Sequence, residues 1–365
     1  MARAKDSVGL DIGTSGVRAA HLSFGRVPYS LQNFGQVALP PGAVREGEIA
    51  DSATVAQALS ELWKRGAIKK KTVSLGISNG RVVARPIQFP AMTEDELRNA
   101  LQFQAQEYIP FPVEDAVVDF QIVDEFVGDN NERVMQIYLV AGHKEMISTF
   151  VETIERAGLR LDSIDFIPMG LIRSLGETAD SMERRAGVGE AIIDIGAGVT
   201  NVVVHEGGIP RFARVLATGG HALTDALSAG MGIPFEEAEA IKQRLGLRPP
   251  GPAAEVPGAQ GDDLAIQILE NRAGAFVDEV RGSIDYFLAQ PESIQISRLV
   301  LSGGGSKLVN LGARLSAGLR GLPVEQGRAL QRITVQKFGL TDEQIGEAEP
   351  LMGASVGVAL GAAWQ

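Results

Sequence analysis

The sequence predicts an α/β fold of two duplicated lobes, each built on the order β-β-β-α-β, with a strand-helix-strand-strand subdomain inserted in the first. Three observations predict it. An apolar strand that ends in Asp-Ile-Gly and runs into small residues and another strand occurs at Asp11 and again at Asp194. A third strand follows in both places, so a whole meander recurs, which is stronger evidence of duplication than three identical residues. The stretch between the copies has a different pattern, which marks it as a subdomain of its own.

In the first copy, Val8 to Ile12 is apolar, Gly13 to Gly16 reads as a tight turn, and Val17 to Ser23 resumes a strand. Gly25-Arg26 then turns the chain into Pro28 to Val37, the third strand. Asp51 reads as the N-cap of a helix to Arg65, with Val55, Leu59 and Leu62 on one face and Gly66 just past its end. Thr72 to Ser78 is again a strand. In the second copy the strands are Ala191 to Ile195, Thr200 to His205 and Arg211 to Ala217, joined by the turn Gly196-Ala197-Gly198 and the hairpin Glu206 to Gly208.

The insert opens with a strand, Val82 to Phe89. Thr93 and Glu96 then form a capping box for a helix to Tyr108, whose stripe is Leu97, Ala100, Leu101, Ala105 and Tyr108. Ile109-Pro110-Phe111-Pro112 stops that helix, because each proline removes a donor and fixes φ. Val117 to Val123 and Val134 to Val140 read as two further strands.

Later landmarks are a linker from Glu177 to Gly189, a Pro/Gly-rich loop from Pro249 to Gly261, and a long helix from Asp262 to Ala289. That helix carries Ile266, Leu269, Ala273, Phe276, Val280, Ile284 and Phe287 on one face. Arg298 to Ser302 is a strand entering Gly303-Gly304-Gly305-Ser306, which reads as opening a helix. Leu351 to Ala363 is a small-residue helix without charge or a polar face, suited to close backbone packing rather than to a membrane surface.

Composition narrows the function. The chain has 365 residues, 45% hydrophobic and 22% charged, which excludes disorder. Its net charge of −11 gives no global positive field for nucleic acid or anionic lipid. The densest basic run, Lys64, Arg65, Lys69, Lys70 and Lys71, sits at a helix-to-strand junction and reads as a solvated turn. With no cysteine, disulfides, Cys-zinc sites and thiolate catalysis are excluded, as suits a reducing cytoplasm. Neither a signal peptide nor an apolar run long enough to cross a membrane is visible.

The two strand-turn-strand loops are the strongest functional signal. Small residues in a tight turn let successive backbone N–H groups point into a concavity, which holds a polyphosphate without side chains. Asp11 and Asp194, at the ends of the entering strands, suit a Mg²⁺ held directly or through waters. Either loop alone also reads as an ordinary hairpin with a turn-capping Asp; duplication favours the clamp. Gly303 to Gly305 and Thr218-Gly219-Gly220 are further glycine turns ahead of helices. Glu239 and Lys242, three apart on a helix, project together and suit a ribose and base edge, a surface ion pair being the plainer reading. There is no P-loop and no Gly-x-Gly-x-x-Gly after a strand, and the four histidines are far apart. Gly353-Ala354-Ser355-Val356-Gly357 matches a nucleophile elbow only in letters, since it lies in a helix with no later histidine.

Together these residues resemble the actin, Hsp70 and sugar-kinase superfamily, which implies ribonuclease-H-like lobes of the order β-β-β-α-β-α. Val8 to Ala20 is similar to its first phosphate motif, Ile192 to Val204 to its second and Leu299 to Leu311 to its adenosine motif, while Leu159 to Leu175 and Pro350 to Ala363 match its two connecting helices. Within the superfamily, Arg85 to Met92, Gln106 to Pro112 and Val117 to Phe120 resemble the insert of the PilM family of type IV pilus assembly proteins, which is FtsA-like. The resemblance implies an actin-like fold with a first lobe at 8–80 plus 151–187, a partner-binding insert at 81–150, a second lobe at 188–218 plus 297–365, and a nucleotide-covering subdomain at 219–296.

It further implies ATP bound between the lobes, and capture of the short N-terminal peptide of a PilN-like inner-membrane protein in a groove between the first lobe and the insert. Asp11, Gly13, Thr14 and Ser15 carry over as the first phosphate loop, and Asp194, Gly196, Gly198 and Thr200 as the second. Gly219, Gly220, Glu239, Lys242, Gly303, Gly304 and Gly305 carry over as further phosphate, ribose and adenine contacts. Phe103, Tyr108, Ile109 and Phe111 are candidates for the peptide groove on composition; they read equally as the insert's own core.

Two departures matter. Fast ATPases of the superfamily place Gln or Glu in the first connecting segment, whereas Asp165-Phe166-Ile167-Pro168 puts isoleucine before the proline, so tight binding with slow or no turnover is expected. FtsA also has a C-terminal amphipathic helix, and here the chain reaches Gln365 soon after the connecting helix, so a partner is expected to hold the protein at the inner membrane from the cytoplasm. A filament-forming cell-division protein and a small-molecule kinase of the same fold are the competing readings.

Overall fold

The structure, a computed structural model, describes residues 6–25, 28–65, 68–128, 131–177, 187–249, 261–336 and 339–363. Arg26, Gly66, 178–186 of the expected linker and 250–260 of the Pro/Gly-rich loop lie outside the described residues.

The first lobe begins with the meander β1 (Asp6–Gly13), β2 (Gly16–Ser23) and β3 (Tyr29–Ala38). A two-residue-strand hairpin follows, β4 (Val44–Arg45) with β5 (Glu48–Ile49), then α1 (Ser52–Arg65) and β6 (Thr72–Ile77). Asp51 caps α1 as expected, its Oδ1 accepting from the Ala53 and Thr54 N–H groups at 3.0 Å each.

The insert comprises β7 (Val82–Pro90), α2 (Glu94–Gln104), β8 (Ala116–Val127) and β9 (Arg133–His143), with strand order β7-β9-β8. Both arms of the Thr93/Glu96 box are made, at 2.8 and 3.3 Å. The helix stops earlier than expected: after Gln104 a 3-10 turn, Ala105–Glu107, tightens the chain ahead of the prolines. Leu97, Leu101, Ile109, Ile137 and Leu139 form a separate small core under α2.

The chain returns to the first lobe with α3 (Lys144–Arg156), β10 (Arg160–Phe166) and α4 (Ile167–Leu175). The stretch Leu159 to Leu175 is therefore only half helix. Its first part pairs parallel with β6, from Arg160 against Thr72 to Phe166 against Ile77, and the helix waits for Pro168, which fits the first helical turn.

The second lobe repeats the pattern with β11 (Val188–Ile195), β12 (Thr200–Glu206), β13 (Ile209–Leu216), α5 (Gly220–Met231), α6 (Phe235–Leu245), α7 (Asp263–Leu288) and β14 (Gln295–Ser302). The remaining elements are α8 (Leu311–Gly318), β15 (Val324–Gln326), β16 (Ile333–Val335), α9 (Asp342–Ala348) and α10 (Gly353–Gly361). The glycine run at 303–306 does not open an α-helix directly. A 3-10 turn, Gly304–Lys307, and a left-handed Asn310 at φ 66° precede α8.

Sheet order shows the duplication. The first sheet runs β10-β6-β1-β2-β3-β16 and the second β13-β12-β11-β14-β15, so β1 and β11 occupy matching central places. The first sheet is completed by β16, whose Ile333 to Val335 pair with Tyr29 to Leu31. α10 lies on the same lobe, so that β16 and α10 belong to the first lobe and not, as expected for 297–365, to the second; a Cβ on Gly9 of β1 would meet the Ser355 carbonyl oxygen at 2.0 Å. Among the described residues, no helix is long and apolar enough to cross a membrane.

Candidate functional site

A cavity of about 560 Å³ opens between the lobes, beyond the carboxyl ends of β1, β11 and β14, where open α/β sheets bind ligands. The turn from β1 to β2 is Thr14-Ser15, so Asp11 falls directly across from Arg18. The β11–β12 turn places Asp194 across from Asn201 at the matching offset. Both carboxylates reach the cavity wall, as do Gly13, Thr14, Ser15, Gly196, Gly198, Gly219, Gly220, Glu239, Lys242 and Gly303 to Gly305.

Thr200 is the exception among the expected contacts. It is fully buried and off the wall, its hydroxyl donating to the Thr218 carbonyl at 2.8 Å. It therefore holds the second loop against the Gly219-Gly220 loop instead of facing a ligand.

The loops converge. A Cβ on Gly198 would meet Thr14 Oγ1 at 2.4 Å, so the two hairpins touch across the lobes. A Cβ on Gly219 would meet the Gly196 and Ala197 carbonyl oxygens at 2.5 and 2.7 Å, and one on Gly220 would lie 3.9 Å from Gly305 Cα. At Gly219 only hydrogen fits, because the Gly196-Ala197 backbone itself forms the wall there.

Electrostatics set the carboxylates apart. Burial pushes Asp194 up to about 6, against the Asn201 amide, with the Asp11 charge adding to the rise. Burial likewise raises Asp11, and Arg18, 3.3 Å away and also 3.2 Å from Ser15 Oγ, offsets part of that. Thr14 Oγ1 and Arg18 Nε are buried without a hydrogen-bond partner. Buried polar groups are ordinarily paired, so these two call for a partner from outside the chain's own hydrogen bonds.

Glu239 and Lys242 do project together, 2.6 Å apart, and the pair is no surface bridge, since Lys242 is 7% exposed. Lys242 Nζ also donates to the Gly220 carbonyl at 3.0 Å and to Thr224 Oγ1 at 2.9 Å, which engages all three of its hydrogens. The lysine thus fixes the Gly219-Gly220 loop. Burial works to raise Glu239, but Lys242 and Thr224 hold it below the usual carboxylate range, so it faces the cavity as an anion.

From α4 the cavity receives the Ile167 side chain, while Asp165 points to Arg173 of α4 in a half-buried pair. Arg18 and Asn201 were not among the residues picked out from sequence. The signal was available, because once Asp11 and Asp194 are aligned the residue seven places on is polar in both copies. Of the candidates for a peptide groove, Ile109 is buried in the insert's own core, Tyr108 and Phe111 pack against it, and Phe103 is 84% exposed.

Known proteins are similar to this chain in sequence and fold. A family model described as Type IV pilus assembly protein PilM matches residues 9–321. The solved structure of a PilM-PilN type IV pilus biogenesis complex superposes with a TM-score of 0.83 at 27% identity, covering 99% of both chains. The cell division protein FtsA of Neisseria meningitidis serogroup B is 25% identical over 353 residues, 87% of this chain and 82% of FtsA. The ethanolamine utilization protein EutJ of Carboxydothermus hydrogenoformans, 17% identical with a TM-score of 0.54 over 97% of this chain and 89% of its own, shares the fold. The fold is the actin-like one that the resemblance implied, and the match across 9–321, insert included, means that the chain belongs to the PilM family of type IV pilus assembly proteins.

Proposed function

We propose that this protein is a nucleotide-binding adaptor of the pilus assembly machinery, which holds ATP with Mg²⁺ between its lobes and binds the N-terminal peptide of a PilN-like inner-membrane protein from the cytoplasm. One observation carries the nucleotide reading: the two glycine hairpins meet across the cavity at Thr14 and Gly198, with Thr14 Oγ1 and Arg18 Nε left without partners. A triphosphate supplies the acceptors that these groups lack. The open cavity walls at Gly219, Gly220 and Gly303 to Gly305 let backbone approach phosphate and purine closely.

The residues also fit a divalent cation. Among the described residues no three carboxylates or imidazoles cluster, so a metal would share Asp11 and Asp194 with phosphate oxygens and water. Such an ion neutralises phosphate charge. Ile167 stands where a water-orienting group would have to act, so the expected role of ATP is to close the lobes rather than to be consumed quickly.

The partner reading rests on the 27% identity to the PilM of a PilM-PilN complex across 99% of this chain. On the sheet face of the insert opposite α2, Val82 and Tyr138 are buried against the first lobe, and the part left open to a partner is at β8, where Val117 is 45% exposed. Titration calorimetry of the full chain with Mg·ATP, alone and with excess PilN-type N-terminal peptide, tests both. Mutual strengthening or weakening supports the adaptor, since coupling is reciprocal. ATP binding without peptide binding overturns the partner assignment and favours an FtsA-like filament former, the second reading kept by the 25% identity to FtsA, for which pelleting in ATP is the check.

A further inference from the structure

The second-lobe carboxylate is joined by buried hydrogen bonds to the root of the insert. Asn201 is 2% exposed and commits both ends of its amide: Nδ2 donates to Asp194 Oδ2 at 3.2 Å, and Oδ1 accepts from the Ser78 hydroxyl of the first lobe. Ser78 is the residue after β6 and is 5% exposed. Beside it, the buried Asn79 donates to the Gly47 carbonyl at 3.2 Å and accepts from the Arg81 N–H at 2.9 Å. Arg81 leads into β7, the insert's first strand, and its carbonyl accepts from the His143 N–H at 3.3 Å, at the end of β9, the insert's last strand. Entry and exit of the insert are thus anchored on residues 78–81. Among the described residues, the side-chain hydrogen bonds of that segment reach the second lobe through Ser78.

We infer that the Ser78–Asn201 hydrogen bond couples the occupant of the cavity to the orientation of the insert, with both side chains acting as positioning residues. This rests on reading the cavity as a nucleotide site. An amide bonded at both ends in a buried place cannot follow Asp194 toward a ligand without drawing Ser78 along or leaving a buried polar group unpaired, and the second outcome is disfavoured. Movement at Asp194 is therefore passed to the segment that holds both ends of the insert. The insert also touches the second lobe directly, Gln88 Nε2 donating to Glu292 Oε1 at 3.1 Å, which gives a control pair that bypasses Ser78.

Ser78 is absent from the cavity wall, so its variants separate coupling from binding. Hydrogen exchange of the full chain is measured with and without Mg·ATP, with amides of β1 as the check on folding. In the unaltered protein Mg·ATP should slow exchange at Val82 to Ala84 and Ala141 to His143 by about 5-fold or more. Ser78→Ala should bind Mg·ATP with affinity within about 3-fold of the unaltered protein yet lose that slowing, Ser78→Cys, which keeps the volume and a weak donor, should recover part of it, and Gln88→Ala should retain it. The inference is overturned if Ser78→Ala responds like the unaltered protein, or if the unaltered protein binds Mg·ATP with no change at the insert's root. Absence of Mg·ATP binding by calorimetry overturns the nucleotide reading itself, a distinct result.

Discussion

Gly357 of α10 and Gly170 of α4 meet backbone to backbone, so closely that a Cβ on Gly357 would lie 2.0 Å from the Gly170 carbonyl oxygen. The two helices that flank the lobe junction therefore cross with nothing between them, a contact that only paired glycines allow. In an ordinary exposed helix Gly→Ala gains about 1 kcal/mol from propensity. Here the clash is with backbone, which cannot swing away, and overpacking of about 1–3 kcal/mol or more should win. Gly357→Ala should lower the urea midpoint at unchanged slope; a stabilised variant would refute the crossing as described.

Asp194→Asn should stabilise the ligand-free protein while abolishing Mg·ATP binding. A carboxyl raised to about 6 by burial from an ordinary 3.8 supports the fold below pH 3.8, and that support is lost as pH rises through 6. At pH 7.5 the neutral amide should gain on the order of 2 kcal/mol. Denaturation at pH 4 is the control, where the advantage should shrink to nothing.

Ile167→Gln should speed ATP turnover. The side chain already lines the cavity at the first turn of α4, so an amide there can orient a water that the native residue cannot. About a tenfold rise in steady-state phosphate release is expected, below the roughly hundredfold or more that an evolved proton-handling group contributes. Native turnover of tens per second, abolished by Asp11→Ala, would show that isoleucine leaves the chemistry intact.

Glu190 should set the acid limit of stability. Burial alone would raise its carboxyl, but His205 Nε2 at 3.0 Å, the Glu177 N–H at 2.6 Å and Arg298 Nε at 2.7 Å outweigh that and hold it near 2. A depressed carboxyl supports the fold above its unfolded value of 4.5, and the support is lost as pH falls toward 2. Glu190→Gln should cost on the order of 3 kcal/mol at pH 7 and almost nothing at pH 2. Equal costs at both pH values would contradict the network.

What could be read from sequence was whatever is written locally or repeated. The Thr93/Glu96 box, the Asp51 cap and the Asp11 and Asp194 hairpins each carry their own chemistry within a few residues. β10 was hidden because Arg160 to Phe166 runs without a turn signal into the apolar stretch that follows, and only pairing with β6 decides that the first half of Leu159 to Leu175 is extended. β16 has only a short signal, the three β-branched residues Ile333 to Val335, and they become a strand because β3 has a free edge. The part of the site that escaped was Arg18 and Asn201, residues defined by what lies opposite them on a neighbouring strand. Ile109 shows the reverse error, an aliphatic offered as a partner contact that the insert uses for its own packing.

The order of manufacture gives β16 and α10 a further meaning. A ribosome releases the chain from the amino end at about 5–20 residues per second, and domains usually mature as they emerge. Here the earliest sheet keeps an open β3 edge and an uncovered β1 until segments made long afterwards arrive to close them. The amino-terminal lobe cannot mature by itself during translation, and such late, distant closure slows folding and leaves a sticky strand exposed meanwhile. Truncated products and stalled nascent chains should therefore aggregate or occupy chaperones, which makes completion of the polypeptide a checkpoint ahead of any assembly at the membrane.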